Sequence, residues 1–391
     1  MSEASKRRAI VIGAGIGGLS AALALRQRGW QVAVYERAAG LRESGAGIVL
    51  AANAMKALDL LGVGGHVRAV GAPVEQAEIR TWDGRLITSL PAAEQAAKYG
   101  THSYVMHRAD LQSILLRAVA AETPVYTGMR WVTGEQKGGR VTAVFEDGTR
   151  EDAELLIGAD GVHSAVREKL FGESPLRYSG YSAYRGVCTL DEERMEAMAG
   201  GGFEALGPGL RFGFSRLGSG RVFWFAAINA PQGRLLPAPE RKQALLRLFN
   251  GWYGPVVDAL VATDASEILA HDIADRAPLT RWSAGSMTLL GDAAHPMLPN
   301  LGQGGAQAIE DAVALARCLE QDGAVPSALL AYERERMART SRIVRMSRSM
   351  GRMIQLESKP LMWLRNRMLA AVPPSAYIRR FDPIVGYVVP R

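Results

Sequence analysis

The chain has 391 residues, 48% hydrophobic and 22% charged, the proportions of an ordinary globular protein with room for two domains and a large core. Cys188 and Cys318, its two cysteines, lack metal-type spacing and are too few for a disulfide framework, so a reducing cytoplasm is expected. The net charge of +7 sits in the tail, where residues 333–391 hold 13 Lys+Arg against 4 Asp+Glu; no nucleic-acid module accompanies it, and nucleic-acid binding is not expected.

In chain order, Lys6-Arg7-Arg8 and the apolar run to Leu25 imitate a signal peptide, but glycines at 13, 15, 17 and 18 interrupt the run. No unbroken stretch of about 18 apolar residues follows, so no membrane span is expected. Ala9–Ile12 reads as a buried strand, residues 17–29 as a helix and Gln31–Tyr35 as a second strand, a βαβ unit that implies a parallel sheet. Gly62-Val63-Gly64-Gly65 reads as a turn, Asp110–Ala121 as a helix, and Val141–Glu146 and Glu154–Ile157 as strands joined at Asp147-Gly148.

After Ser179 the pattern changes to aromatic and β-branched runs broken by glycine, expected to form an inserted antiparallel sheet. Arg211–Phe214 and Val222–Ile228 are its clearest strands, with a hairpin turn at Gly218-Ser219-Gly220, and Gly200-Gly201-Gly202 reads as another turn. A short strand at Met287–Leu290 precedes an Ala-rich helix from about Gly305, and beyond Ala312 the chain is mostly helical. In Arg339–Glu357 arginines 342, 345, 348 and 352 take one side, while Ile343, Met346, Met350, Met353 and Ile354 are expected to pack on the body.

Gly13-Ala14-Gly15-Ile16-Gly17-Gly18 is a G-x-G-x-x-G loop between strand and helix. Gly13 permits the tight turn, Gly15 lets a pyrophosphate approach the backbone, and Gly18 lets helix and strand pack closely. Glu36, with Arg37 beside it, ends the next strand, where a carboxylate accepts from ribose hydroxyls. Asp292 follows the strand at 287–290, and the loop Pro299-Asn300-Leu301-Gly302-Gln303-Gly304-Gly305 leads into a helix N-terminus, a cradle for a polyol and an oxyanion. His295 beside Asp292 has no second His or Cys at ligand spacing, so loop packing is expected and no metal. His66, His102, His163 and His271 are scattered singly and receive no catalytic role.

The loop at 13–18, Asp160-Gly161 within Gly158–Arg167, and Gly291-Asp292 occur in order, and together they resemble the fingerprints of the single-component FAD-dependent aromatic monooxygenases of the p-hydroxybenzoate hydroxylase fold. The resemblance covers residues 9–320. It implies an α/β fold: a Rossmann-like FAD-binding domain (1–72, 98–178, 272–335), an inserted mainly antiparallel substrate sheet (73–97, 179–271) and a helical tail (336–391). By the same resemblance Glu36 would bind the adenosine ribose, Asp292 a ribityl hydroxyl, Arg108 the ribityl–pyrophosphate region, and Gly302, Gly304 and Gly305 the isoalloxazine edge. Asp160 would support cofactor and chain geometry, with direct contact an open alternative.

NADH or NADPH would reduce FAD transiently, no second dinucleotide domain being needed, and O₂ would react as the C4a-hydroperoxide to hydroxylate an aromatic or heteroaromatic small molecule. Arg185, in Tyr184-Arg185-Gly186, could orient such a substrate. Arg211, Phe212, Phe214, Phe223, Trp224, Phe225 and Pro299 could line its pocket, although strand alternation lets only half the sheet residues face it. Epoxidation of an isoprenoid or polyketide-type substrate and FAD-dependent lipid reduction are the alternatives, and a monomer or homodimer is expected.

Overall fold

Arg8–Ile12 is buried from Ala9 onward and so needs a strand on each edge and cover on both faces. Its parallel neighbours are Gln31–Tyr35 and Leu155–Gly158. Met287–Leu289 and Val125–Tyr126 extend this core sheet in parallel, and Ser283–Ala284 closes one edge antiparallel. The computed structural model that shows this describes residues 7–41, 46–191, 194, 201–218, 220–321 and 323–390.

The helix Ile16–Arg26 lies close on the sheet because Gly18 carries no side chain: a Cβ there would meet the Gly13 carbonyl oxygen at 1.9 Å. Its other side packs on the helix Gly304–Gln321, buried through most of its length. The strand expected at Glu154–Ile157 is found at Leu155–Gly158, preceded by a further strand, Arg150–Ala153, that was not expected. Arg150–Ala153 pairs with Arg140–Phe145 through the Asp147-Gly148 turn, and Leu155–Gly158 enters the core sheet. Gly64 and Gly65 begin a helix, Gly64–Val70, so only Gly62, at φ +76°, makes the expected turn.

A second sheet orders its strands as Leu269–Asp275, Arg177–Thr189, Arg221–Asn229, Leu210–Gly218, Gly201–Leu206, Gln76–Thr81 and Leu86–Leu90. Neighbours are antiparallel except Gly201–Leu206 against Gln76–Thr81. Gly201-Gly202 therefore belongs to a strand, not a turn. Gly202 suits a crowded ladder, since a Cβ there would stand 2.7 Å from the Phe214 carbonyl oxygen. In the expected hairpin turn, Ser219 lies outside the described residues. Behind the sheet, Phe212 and Trp224 stack at 5.4 Å and pack with Phe249, Leu245 and Leu260 from the helices Arg241–Leu248 and Gly254–Ala262. The front face borders a large cavity toward the core sheet.

The long helix Val325–Ile354 binds the two halves. Ile343, Val344, Ser347, Gly351 and Ile354 form its buried side, whereas Met346, Met350 and Met353 are half-buried and Met350 and Met353 border the cavity. The Met side is therefore a cavity margin rather than a face packed wholly on the body. Arg348, expected on the solvent side, pairs with buried Asp275 at 2.8 Å, as does Arg177 at 2.9 Å. Two further helices, Lys359–Ala370 and Pro374–Val385, complete the tail. Among the described residues no helix is long and apolar enough to cross a membrane.

Candidate active site

One cavity of about 1680 Å³ runs from the glycine loop to the front of the second sheet. Gly13, Gly15, Glu36, Arg37, Arg108, Asp160, Asp292, Gly302, Gly304 and Gly305 all border it; of the expected cofactor residues only Gly18 does not, being committed to helix packing. Its size suits a dinucleotide together with a second molecule, since single drug-sized sites run to about 1,000 Å³.

The glycine loop divides its labour. Gly13 sits at φ +108°, with a Cβ position 2.5 Å from the Ala159 carbonyl oxygen, so its side chain is excluded by backbone. A Cβ on Gly15 would meet nothing within 4 Å. Gly15 thus leaves open space on the cavity side, where a pyrophosphate can approach the backbone and the N-terminus of the helix Ile16–Arg26. Glu36 accepts from the Ala14 N–H at 3.0 Å and the Ala38 N–H at 2.9 Å. Those bonds fix its carboxylate at the cavity wall, and two oxygens retain capacity for ribose hydroxyls.

Asp160 resolves toward structure. Its carboxylate accepts from the Ser164 hydroxyl and from the Ala165 and Val166 N–H groups at 2.8 and 3.2 Å, capping the helix Ala165–Phe171. Burial raises its pKa, while the Ser164 bond and the backbone donors oppose that shift. Asp292 is different. It is exposed to the cavity beside Gly304, whose Cβ would lie 3.8 Å from Asp292 Oδ1, and its carboxylate has no recorded protein partner among the described residues. An exposed acceptor at a glycine-lined wall is what a polyol chain requires. Gly302, at φ +61°, turns the loop so that the first N–H groups of the helix Gly304–Gln321 face the same space. These residues fit FAD.

A buried ion cluster, which sequence reasoning missed, holds the two cofactor loops. Arg336 donates to Asp311 at 2.7 Å, Glu310 at 2.6 Å and Gln307 at 2.8 Å, and Arg339 donates to Glu310 at 2.8 Å. His295 and the Gly291 N–H reach Asp311 Oδ2 at 2.6 and 3.1 Å, tying the Asp292 loop to the helix. Asn53 bonds both Gln303 and Glu310, tying the loop Pro299–Gly305 to the same centre. Burial alone would raise the Asp311 carboxyl, but His295 and Arg336 outweigh it and hold it at about 2. An ionised Asp311 only accepts, so His295 Nε2 carries the proton. The available sequence signal was the pair Glu310-Asp311 in the Ala-rich, mostly buried first half of this helix.

On the second sheet, alternation divides the expected pocket. Arg211, Phe223, Phe225 and Pro299 border the cavity; Phe212 and Trp224 do not, because they face the helices behind. Trp224 Nε1 donates to Thr263 there at 2.7 Å. Phe214 belongs to that rear cluster but also borders the cavity. Arg211 lies 4.7 Å over the Phe225 ring and donates to Asn300 at 3.2 Å, and Tyr181 donates to the same oxygen at 3.0 Å. Asn300 donates onward to the Ser347 carbonyl at 3.0 Å, so the flavin-edge loop is fastened to both sheet and long helix.

Arg185 stands half-buried at the cavity wall, with no acidic partner among the described residues. Burial and then the nearby Arg108 charge lower its pKa. His271, left without a role in the sequence, is on the same wall, its pKa lowered by burial and by Arg185 and Arg241. Arg108 and Arg185 bring positive charge to this wall, and Arg211 beside them lies 3.7 Å from the Glu204 carboxylate.

A family model described as "FAD binding domain" matches residues 6–203 and 216–347. The chain is 39% identical over 361 residues to aurachin C monooxygenase/isomerase of Stigmatella aurantiaca, covering 92% of this chain and 93% of the relative. It is 36% identical over 364 residues to 3-amino-4-hydroxybenzoate 2-monooxygenase of Streptomyces cremeus, covering 90% and 89%. It is 38% identical over 357 residues to chloroplastic zeaxanthin epoxidase of Oryza sativa subsp. japonica, covering 85% of this chain and 53% of the relative, so it spans about half of that protein. The crystal structure of Klebsiella pneumoniae HpxO complexed with FAD and uric acid superposes with a TM-score of 0.91 at 31% identity, covering 97% of this chain and 96% of that one.

Proposed function

The chain belongs to the FAD-dependent aromatic monooxygenases, and from that premise we propose that Arg185 and Arg211 orient a ring carrying a negative or strongly polar group between the second sheet and the loop Pro299–Gly305. Bound FAD, reduced by NAD(P)H, supplies the oxygen chemistry. The observation that carries the reading is the Arg185 guanidinium at the cavity wall without an acidic partner among the described residues, near Arg108 and His271. A planar guanidinium there offers paired donors to a carboxylate, phenolate or enolate oxygen.

The chain's own contributions are positional. Glu36, Gly15 and Asp292 would hold the ribose, pyrophosphate and ribityl parts of FAD, and Gly302–Gly305 the ring edge. N–H groups at the start of the helix Gly304–Gln321 would hold the flavin ring edge and favour negative charge there. Phe223, Phe225 and Pro299 exclude water from the space between ring and substrate.

The test is oxygen uptake and NAD(P)H oxidation by the flavin-loaded enzyme across aromatic and heteroaromatic acids and phenols. The expected result is substrate-stimulated O₂ consumption matched by a product one oxygen heavier. NAD(P)H-dependent product formed at full rate without oxygen would overturn the reading. Product structure separates ring hydroxylation from epoxidation, the second reading, favoured by the zeaxanthin epoxidase relative.

A further inference from the structure

The helix Lys359–Ala370 exposes large apolar side chains beside its outer cations Lys359 and Arg367. A third cation, Arg365, is only 3% exposed and donates inward to the Ile354 carbonyl at 3.0 Å. Leu361, Leu364 and Met368, at positions i, i+3 and i+7, are turned outward, with Leu364 48% and Met368 61% exposed; Val372 extends the stripe. Large apolar side chains left in water along one stripe mark a surface that something apolar covers.

The stripe is continuous with the active-site cavity. Leu361, Leu364, Met368 and Val372 border the same space as Pro299 and Arg211. Met353 and Leu356, at and just past the end of the long helix, connect the flavin-edge loop to this stripe. Further apolar residues border this end, Ile79 and Leu90 from the sheet edge and Phe381 from the last helix, with the polar Glu78, Thr88 and Gln95 among them. From Leu361 to Val372 the stripe runs about 16 Å at the α-helical rise. The polar end of the cavity therefore carries three arginines, and its far end carries aliphatic and thioether side chains with no cation other than Arg365 and Arg380 among the bordering residues from 350 onward.

We propose that the substrate is amphiphilic: a ring bearing a polar or anionic group seated at Arg185 and Arg211, with a long aliphatic chain lying along Leu361, Leu364 and Met368. The proposal rests on the preceding assignment of the cavity as the substrate site. The chain supplies binding energy away from the reacting atoms, and each methylene it buries tightens binding about fourfold. The exposed stripe is covered when the chain binds. Met353 and Met368 suit this task, since an unbranched thioether adapts to a flexible ligand.

The experiment titrates flavin-loaded enzyme with phenols carrying a para-methyl, para-pentyl or para-nonyl chain, reading the flavin absorbance and its quenching. The expected result is binding that tightens by at least about tenfold from methyl to pentyl and again to nonyl. The double variant Leu364→Asp, Met368→Ser keeps its flavin and its affinity for the methyl compound, and loses most of the gain with chain length. Nonyl binding no tighter than methyl, undetectable binding included, overturns the proposal. So does an equal gain in variant and wild type, which places the chain elsewhere. A chain-length gain that the double variant removes, but that Arg185→Gln leaves intact along with methyl-phenol affinity, supports the apolar wall and overturns the head-group assignment instead.

Discussion

The two sides of the cavity are held by opposite means. On the cofactor side three carboxylates are already bonded within the protein: Glu36 to two N–H groups, Asp160 to a helix start, Asp311 to Arg336, His295 and Gly291. On the substrate side Arg185 has no acidic partner among the described residues, and apolar side chains are left uncovered. Satisfied groups fix geometry, and unsatisfied ones are available to a ligand. Among the cofactor-side carboxylates Asp292 completes the contrast, exposed to the cavity rather than bonded within the protein.

The largest effect that would sharpen this contrast comes from Gly15→Val. Nothing lies within 4 Å of the Cβ position, so the protein is expected to fold with unchanged circular dichroism, yet the added bulk fills the pyrophosphate approach and flavin is lost. Gly18→Ala is expected to fail in the opposite manner, with little soluble protein, because its Cβ would meet backbone at 1.9 Å. Flavin retained by Gly15→Val would break the assignment of the loop.

Arg336→Met tests whether the buried cluster is a framework. Removing one partner leaves Glu310 and Asp311 buried without their shared cation, a cost of about 3–5 kcal/mol. The expected outcome is a lower urea midpoint and easier flavin loss at moderate denaturant. An unchanged midpoint would show that the loops are held by other contacts. On the same side, Asp292→Ala is expected to weaken flavin binding about 10- to 100-fold, the worth of a charged hydrogen bond, with the urea midpoint unmoved.

What could be read from the sequence follows the same division. Gly13, Gly15, Gly18, Glu36 and Asp292 are legible because each answers to local backbone geometry, a turn, an approach or a strand end, that spacing encodes. Alternation correctly halves the aromatic strand residues but does not fix their phase. Which half faces the cavity depends on the helices Arg241–Leu248 and Gly254–Ala262, which cover Phe212 and Trp224 from behind. The Glu310–Arg336 pairing is 26 residues apart in sequence and exists only once two helices pack. The apolar stripe of Lys359–Ala370 has ordinary helical periodicity; only the structure shows that Leu361, Leu364 and Met368 stay exposed while Arg365 is buried.

Arg185→Gln probes the substrate side alone. Flavin content is expected to stay at the wild-type level while kcat/KM for the best aromatic substrate falls about 10- to 100-fold, the value of a charged donor left unreplaced. Equal loss of flavin and turnover would move Arg185 to the cofactor side and weaken the contrast.

The smallest effect is a pH dependence confined to the satisfied side. An unfolded aspartate titrates near 3.9, whereas folded Asp311 is held down at about 2 by His295 and Arg336 against the burial that would raise it. A carboxyl with a depressed folded value contributes stability that is fully present above about pH 4 and lost as pH falls toward 2. Thermal midpoints measured from pH 7 downward should therefore stay level with respect to this group until about pH 4 and then drop. Flavin release should accompany the drop, since the Asp292 loop is tied to Asp311 through His295 and Gly291. In Asp311→Asn the midpoint is expected to start lower and to fall less steeply between pH 4 and 2. A variant with the wild-type slope across that interval would place the acid sensitivity on other carboxyls and remove Asp311 from the account of how the cofactor loop is held.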